Sequence, residues 1–276
     1  MAILSPPNTS LLVMAATQFN GKVYILYSYF NIVTVYLATP TYERQPEFVL
    51  EKMNNPIDIM PCNDLWCLFI TDLHNIWQAT FDNNRGEAEP TCEIWLNIED
   101  VKTLSVTRHK SILVTQSTTL SLYNYNAQLL QKIQLGKDLA KGVQHAIETS
   151  DGHILVCQAD SDDVLAQRIT IINKEGEVLN CYGGKLENDG KPQIGPRYAS
   201  VNNNLGVCFV MDFFNSRILQ FDDNLNLQGV LLKHNVNHNK RFCFVNDLHV
   251  MILSGFLGVV EIYRVLPRAA PIKTAI

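Results

Sequence analysis

Apolar residues along this chain fall in short runs rich in Val, Ile, Leu, Tyr and Phe, separated by Asn, Asp, Gly and Ser. That pattern predicts strands joined by tight turns. Helical spacing is nearly absent, and "GKDLAKGVQ" (136–144) predicts no more than a short helical turn. The runs come in pairs: "KVYILYS" and "IVTVYLA", "LWCLFITD" and "NIWQATF", "SILVTQS" and "TLSLYNY", "HILVCQAD" and "RITIINK", "GVCFVMD" and "NSRILQF", "HVMILSG" and "VVEIYRV". Aligned, the pairs put Ser28, Asp72, Gln116, Gln158, Asp212 and Ser254 at one position, with spacings of 44, 44, 42, 54 and 42 residues.

Each pair is preceded by a further strand ("LLVMAAT" before the first, "KRFCFVN" before the last) and all but the last are followed by one. Four antiparallel strands per repeat of roughly 40–45 residues is the period of a propeller blade. The expected fold is therefore all-β, a six-bladed β-propeller of four-stranded antiparallel blades at about 9–53, 54–97, 98–135, 136–183, 184–232 and 233–266. Blades packed face to face bury both sides of their inner strands, which accounts for continuous rather than alternating apolar runs. The last blade lacks a fourth strand. "MAIL" or "IKTAI" could supply it, and pairing by the N-terminal segment, which would close the ring and remove an edge, is the favoured reading.

The chain has 276 residues, 47% of them hydrophobic, enough for a substantial core. With 22 basic and 27 acidic residues its net charge is −5, so it has no global pull on nucleic acid or anionic lipid; neither DNA nor membrane is expected as a partner. Seven cysteines (Cys62, Cys67, Cys92, Cys157, Cys181, Cys208, Cys243) form no CxxC pair and mostly sit in apolar runs. They are expected to be buried free thiols of a reducing compartment. "MAILSPPNTS" has no secretory pattern, and "VMILSGFLGVV" (250–260) is too short to span a bilayer. A soluble, cytoplasmic protein is the expectation.

Residues 181–222 carry Gly183, Gly184, Pro196, Asp212, Asn215, Arg217, Ile218 and Phe221 in the order Gly-rich loop, Pro-led strand, Asp-x-x-Asn-x-Arg turn and strand. This segment resembles an NHL repeat. "QHAIETSDGHILVCQAD" (144–160) is similar to the preceding blade of invertebrate NHL propellers, some of which follow a RING/B-box/coiled-coil (TRIM-type) part. Elsewhere only Asp72 with Asn75 matches, without the Arg. The resemblance implies an NHL/TolB-like propeller acting as a non-enzymatic interaction module, in some relatives the substrate-recognition part of a ubiquitin ligase. No RING cysteine-histidine frame exists in this chain.

Asp212 beside Arg217 invites a catalytic reading, but Asp and Asn in a repeated turn bond local amides and Arg bridges across it. The turn reading is preferred. In such a blade the loops entering the first strand and joining the second to the third share one face, the top. Asp72, His74, Asn75, Asp160, Asp162, Asp163, Asp212, Asn215 and Arg217 fall there, and Lys102, Gln144, His145, Arg197, Tyr198 and Arg241 reach it from first strands. So do the irregular segments "ADSDDVLAQ" (159–167) and "GGKLENDGKPQIG" (183–195). Loops on a rigid scaffold are where binding concentrates.

Three functions compete. The first is binding of a protein or peptide on the top face, through Lys102, His145, Arg197, Tyr198, Arg241, Asp72, Asp212 and Arg217. RNA binding is the second, because Lys102, Arg197 and Arg241 align at the mouths of blades three, five and six. The third is a metal-dependent propeller lyase or lactonase, which needs several ligands converging on the channel. The channel position would be held by Val13, Asp58, Thr103, His145, Tyr198 and Phe242, and one Asp with one His falls short of three ligands. No catalytic residue, metal or cofactor is expected. Of the three tryptophans, Trp66 and Trp77 are predicted on inner strands in the core. Trp95 falls on an outer strand, as packing or a side-surface anchor.

Overall fold

Each predicted pair of apolar runs is the central hairpin of a four-stranded antiparallel sheet in the computed structural model. The structure describes residues 2–4, 12–27, 31–39, 41–81, 89–160, 163, 166–184, 193–202, 205–233, 239–246, 249–254 and 259–264. After β1 (Ala2–Leu4), the first blade holds β2 (Val13–Phe19), β3 (Lys22–Tyr27), β4 (Ile32–Leu37) and β5 (Arg44–Val49). The second holds β6 (Asp58–Cys62), β7 (Cys67–Thr71), β8 (Asn75–Thr80) and β9 (Thr91–Asn97). The third holds β10 (Val101–Val106), β11 (Ile112–Gln116), β12 (Thr119–Tyr123) and β13 (Leu129–Gln134). A single turn of helix, α1 (Lys137–Ala140), leads into β14 (Val143–Glu148), β15 (Ile154–Gln158), β16 (Arg168–Ile172) and β17 (Val178–Gly183). Next come β18 (Pro196–Asn202), β19 (Val207–Asp212), β20 (Arg217–Asp222) and β21 (Leu227–Lys233). The last sheet is β22 (Asn239–Asn246), β23 (His249–Ser254) and β24 (Val259–Arg264), completed by β1.

Among the described residues, then, there are six such sheets. Their first strands touch in the sequence β2, β6, β10, β14, β18, β22, and β22 returns to β2. This closed circuit around a central axis is a β-propeller. The N-terminal segment supplies the missing fourth strand: Ala2 lies opposite Ile262 and Leu4 opposite Val260. Closure hides the outer edge of β24 behind backbone hydrogen bonds.

Burial follows position within a blade. Every residue of β7 and β15 is buried, whereas β9, β13 and β17 are largely exposed. The core lies between blades; Ala15, Leu26 and Phe48 of the first pack with Ile70 and Trp77 of the second. Trp66 departs from its predicted core place. It sits in the β6–β7 turn with φ 53° and is 38% exposed, one face against Phe19 at 5.4 Å. Trp95 packs edge-on to Phe69 at 5.0 Å and donates to the Tyr125 carbonyl at 2.9 Å, filling the seam between blades two and three. The cysteines are all free, but Cys181 is exposed and Cys92 and Cys243 are half-buried.

One repeated device escaped the sequence reading. The turns joining third to fourth strands in blades three, four and five begin at Asn124, Asn173 and Asp222, 49 residues apart. Each side-chain oxygen accepts the amides two and four residues on, and the fourth residue (Ala127, Gly176, Leu225) takes positive φ. "NYNAQ", "NKEGE" and "DDNLN" share only that Asx logic, too little identity to stand out as a motif.

Candidate functional site on the top face

The first strands carry a bulge where they meet the channel mouth. Pairing skips one residue between Val13 and Ala15, Val101 and Thr103, Val143 and His145, Pro196 and Tyr198, and Asn239 and Arg241. Bulges re-aim side chains. The bulged positions are Met14, Lys102, Gln144, Arg197 and Lys240. The residues just inside them, Ala15, Thr103, His145, Tyr198 and Arg241, form one layer, joined by Asp58 opposite Thr71. This corrects the sequence alignment at three points. Arg241 is equivalent to His145 rather than to Lys102 and Arg197, and Ala15 and Arg241 replace Val13 and Phe242 in the channel layer.

That layer closes the channel. The Arg241 guanidinium donates to Asp58 Oδ1 and lies 5.1 Å over the Tyr198 ring. Tyr198 stacks on His145 at 4.2 Å, and His145 Nδ1 hydrogen-bonds Thr103 Oγ1 at 2.9 Å. The circuit returns through the Leu104 amide, which donates to Asp58 Oδ2 at 2.8 Å; Oδ1 also accepts from the Ile59 amide at 2.7 Å. Ala15 stands between Asp58 and Arg241, and its small side chain leaves their charges room to meet. Asp58 is 2% exposed and His145 fully buried. Burial pushes the Asp58 carboxyl up despite its Arg241 partner, and burial with the Arg241 charge holds His145 down at about 3. His145 is therefore a neutral ring wedged in the plug.

Above the plug, the bulged residues of three consecutive blades form an arc. Lys102 Nζ donates to the Val143 carbonyl at 2.8 Å, and Arg197 Nη1 donates to Gln144 Oε1 at 3.1 Å. Gln144 Nε2 is anchored on the Gly142 and Ala159 carbonyls. Desolvation lowers the pKa of both Lys102 and Arg197. The Arg197 guanidinium lies 4.7 Å over the Phe213 ring, and Phe213 meets Phe214 edge-on at 5.3 Å. Phe214 is 40% exposed and lies directly over Gly195, where a Cβ would stand 2.0 Å from its ring. Sequence reasoning passed over this aromatic pair, although two Phe in a turn otherwise built from Asp, Asn and Ser is a visible signal.

Asp212 and Asp72 are turn clasps. Asp212 accepts from the Gly195 amide at 2.9 Å, from Asn215 Nδ2 and from Arg217 Nε at 2.7 Å, while Arg217 Nη2 reaches the Gln193 carbonyl. Asp72 accepts from the His74 and Asn75 amides, and from Trp77 Nε1 at 2.8 Å. Trp77 stands five residues after Asp72, as Arg217 does after Asp212, so an indole N–H fills the guanidinium's place where the motif had looked eroded. Of the other top-face acids, Asp163 pairs with Lys141 at 3.1 Å. Asp162 and residues 185–192 lie outside the described residues.

Among the described residues no group of three His, Cys, Asp or Glu is placed to hold a metal, and no helix is long and apolar enough to cross a membrane. No family model matches the chain, and neither does any curated protein sequence. Solved structures do match. A protein of unknown function from Bacteroides caccae is 14% identical, covering 84% of this chain and 82% of that one with a TM-score of 0.62. A catalytically inactive H270A virginiamycin B lyase from Staphylococcus aureus with quinupristin is 11% identical, covering 96% and 98%, TM-score 0.61. A streptogramin B lyase is 12% identical, covering 94% and 96%, TM-score 0.61. At such identities the likeness establishes the β-propeller fold alone.

Proposed function

We propose that this propeller is a non-enzymatic recognition module that binds a protein or peptide on its top face, across the arc Lys102–Gln144–Arg197 and the Phe213–Phe214 pair. The carrying observation is the juxtaposition of a half-buried Arg and an aromatic pair beside a closed channel. Arg and aromatic side chains with one face packed and one exposed are the usual anchors of protein interfaces. The six sheets, the Pro196-led strand and the Asp212–Asn215–Arg217 clasp support placing the chain near NHL propellers. By that resemblance, the substrate-recognition part of a ubiquitin ligase is the setting we favour.

The plug argues against the lyase-type alternative. Asp58 is occupied by Arg241 and two amides, and His145 commits Nδ1 to Thr103 and its ring face to Tyr198, so the one nitrogen left without a partner among the described residues, Nε2, falls short of the several ligands such a site needs. RNA is the second reading. It loses one of its three cations, because Arg241 is buried in an ion pair and offers no phosphate contact. Selection of a displayed peptide library on the immobilised propeller tests the proposal. Enriched peptides should bind wild type and lose at least about tenfold with Arg197→Ala or Phe214→Ala, a loss of roughly 1.4 kcal/mol. Enriched peptides indifferent to both changes would refute it.

A further inference from the structure

At the opposite end of blade two from the top face, the β6–β7 hairpin closes on Cys62 and Cys67, which are directly opposed as its last ladder pair. Directly opposed residues in an antiparallel pair have Cα atoms about 4.5–5.5 Å apart, inside the range a disulfide spans. Both side chains are buried in the same apolar cluster. We propose that Cys62 and Cys67 are a redox modification site, closing to an intramolecular disulfide when the protein meets a small peroxide.

The surroundings divide the roles. The Cys67 thiol and the Leu65 amide beside Cys62 Sγ favour a thiolate there and hold its pKa near 6, while Tyr125 donates its hydroxyl proton to Asp64 Oδ2 at 2.9 Å. The hydrogen bond to Cys62, with burial, holds Cys67 protonated, and Gln78 Nε2 approaches its sulfur at 3.5 Å. In the proposed sequence Cys62 attacks and Cys67 resolves. The Cys62 thiolate attacks one oxygen of HOOH; the O–O bond breaks, and the departing hydroxide takes the Cys67 proton and leaves as water. The Cys67 thiolate then attacks the Cys62 sulfenic sulfur, the S–O bond breaks, and hydroxide leaves. The two sulfurs together lose two electrons and peroxide gains two.

Burial selects the oxidant. Cys62 is 1% exposed and Cys67 fully buried, which admits a peroxide through local opening of the hairpin end but not a peptide disulfide. Trp66, adjacent to Cys67, provides an optical report because a disulfide quenches a neighbouring indole.

The test is hydrogen peroxide treatment of the whole chain, then denaturation in an alkylating agent and peptide mapping. Two of the seven thiols should become unreactive, with Cys62 and Cys67 linked, and dithiothreitol should restore both. Tryptophan emission should fall and recover in parallel. Cys67→Ser should instead trap dimedone at Cys62, which wild type should not. Glutathione disulfide should leave both cysteines unmodified. Seven alkylated thiols after peroxide, a link between another pair, or a glutathione adduct on Cys62 would each overturn the proposal, and the wild-type mapping decides even if the variant fails to fold.

Discussion

Asp58 and Arg241 lie 183 residues apart in sequence and meet beside Ala15 in the channel of the propeller. Each comes from the first strand of its own blade, and the ion pair ties the second blade to the last across the first. Removing one partner strands a buried charge, which costs about 3–5 kcal/mol. Asp58→Ala and Arg241→Ala should each destabilise by that order in urea unfolding. The double variant should cost clearly less than the sum, as interacting sites do. Strict additivity would mean the pair does not interact.

His145 gives the plug an acid sensitivity. Its folded pKa is near 3, below the ordinary histidine value, so below about pH 6.5 the unfolded chain binds a proton the folded one refuses. Its contribution is complete above pH 6.5 and is lost as pH falls towards 3, at up to about 1.4 kcal/mol per pH unit. Asp58, whose pKa is raised, acts in the opposite sense: the folded state holds its proton longer, so that share of stability falls as pH rises through the carboxylate range. The histidine part is isolated by comparing wild type with His145→Gln between pH 6.5 and 5, since the Asp58 contribution is common to both proteins. The variant should show the shallower slope, and equal slopes would contradict the buried neutral ring.

The two clasps should prove equivalent. Trp77→Phe removes one hydrogen bond to Asp72, and Arg217→Met removes the matching one to Asp212, each leaving the carboxylate with its other donors. Each should lose about 1.5–3 kcal/mol, the worth of a hydrogen bond to a charged group. Calorimetry should find both folded, with midpoints lowered by about 2–4 °C per kcal/mol.

Architecture was legible in this sequence because blades repeat their burial pattern, and that pattern is written in apolar runs. The β1 closure was legible for the same reason, since a three-stranded blade leaves an edge that some segment must cover. The channel layer was not. A bulge inserts one residue without changing the apolar run around it, so Arg241 was aligned with Arg197 when Lys240 holds that position. Trp66 misled in a similar way: nothing in "NDLWC" says that the turn extends to the Trp and sets it at positive φ. The Phe213–Phe214 platform depends on Gly195, a contact between a loop residue and a turn that no periodicity encodes.

β1 should matter more than its three residues suggest. Without residues 1–4 the edge of β24 is unpaired, a template for intermolecular pairing. The truncated chain should melt lower and show a rising association state with concentration in sedimentation, and an unchanged monomer of equal stability would contradict closure by β1.

The central claim is that the top face recognises protein through Arg197 and the aromatic pair, and not phosphate through a ring of cations. The most direct measurement is a side-by-side titration of a selected peptide and a single-stranded RNA, at low and physiological salt. Wild type is compared with a Lys102→Ala/Arg197→Ala variant that leaves the Arg241 plug intact. The account predicts peptide binding that depends weakly on salt and falls at least about tenfold in the variant, with RNA binding weak and equal in both proteins. RNA binding that is tight in wild type, falls steeply with salt and is lost in the variant would contradict it.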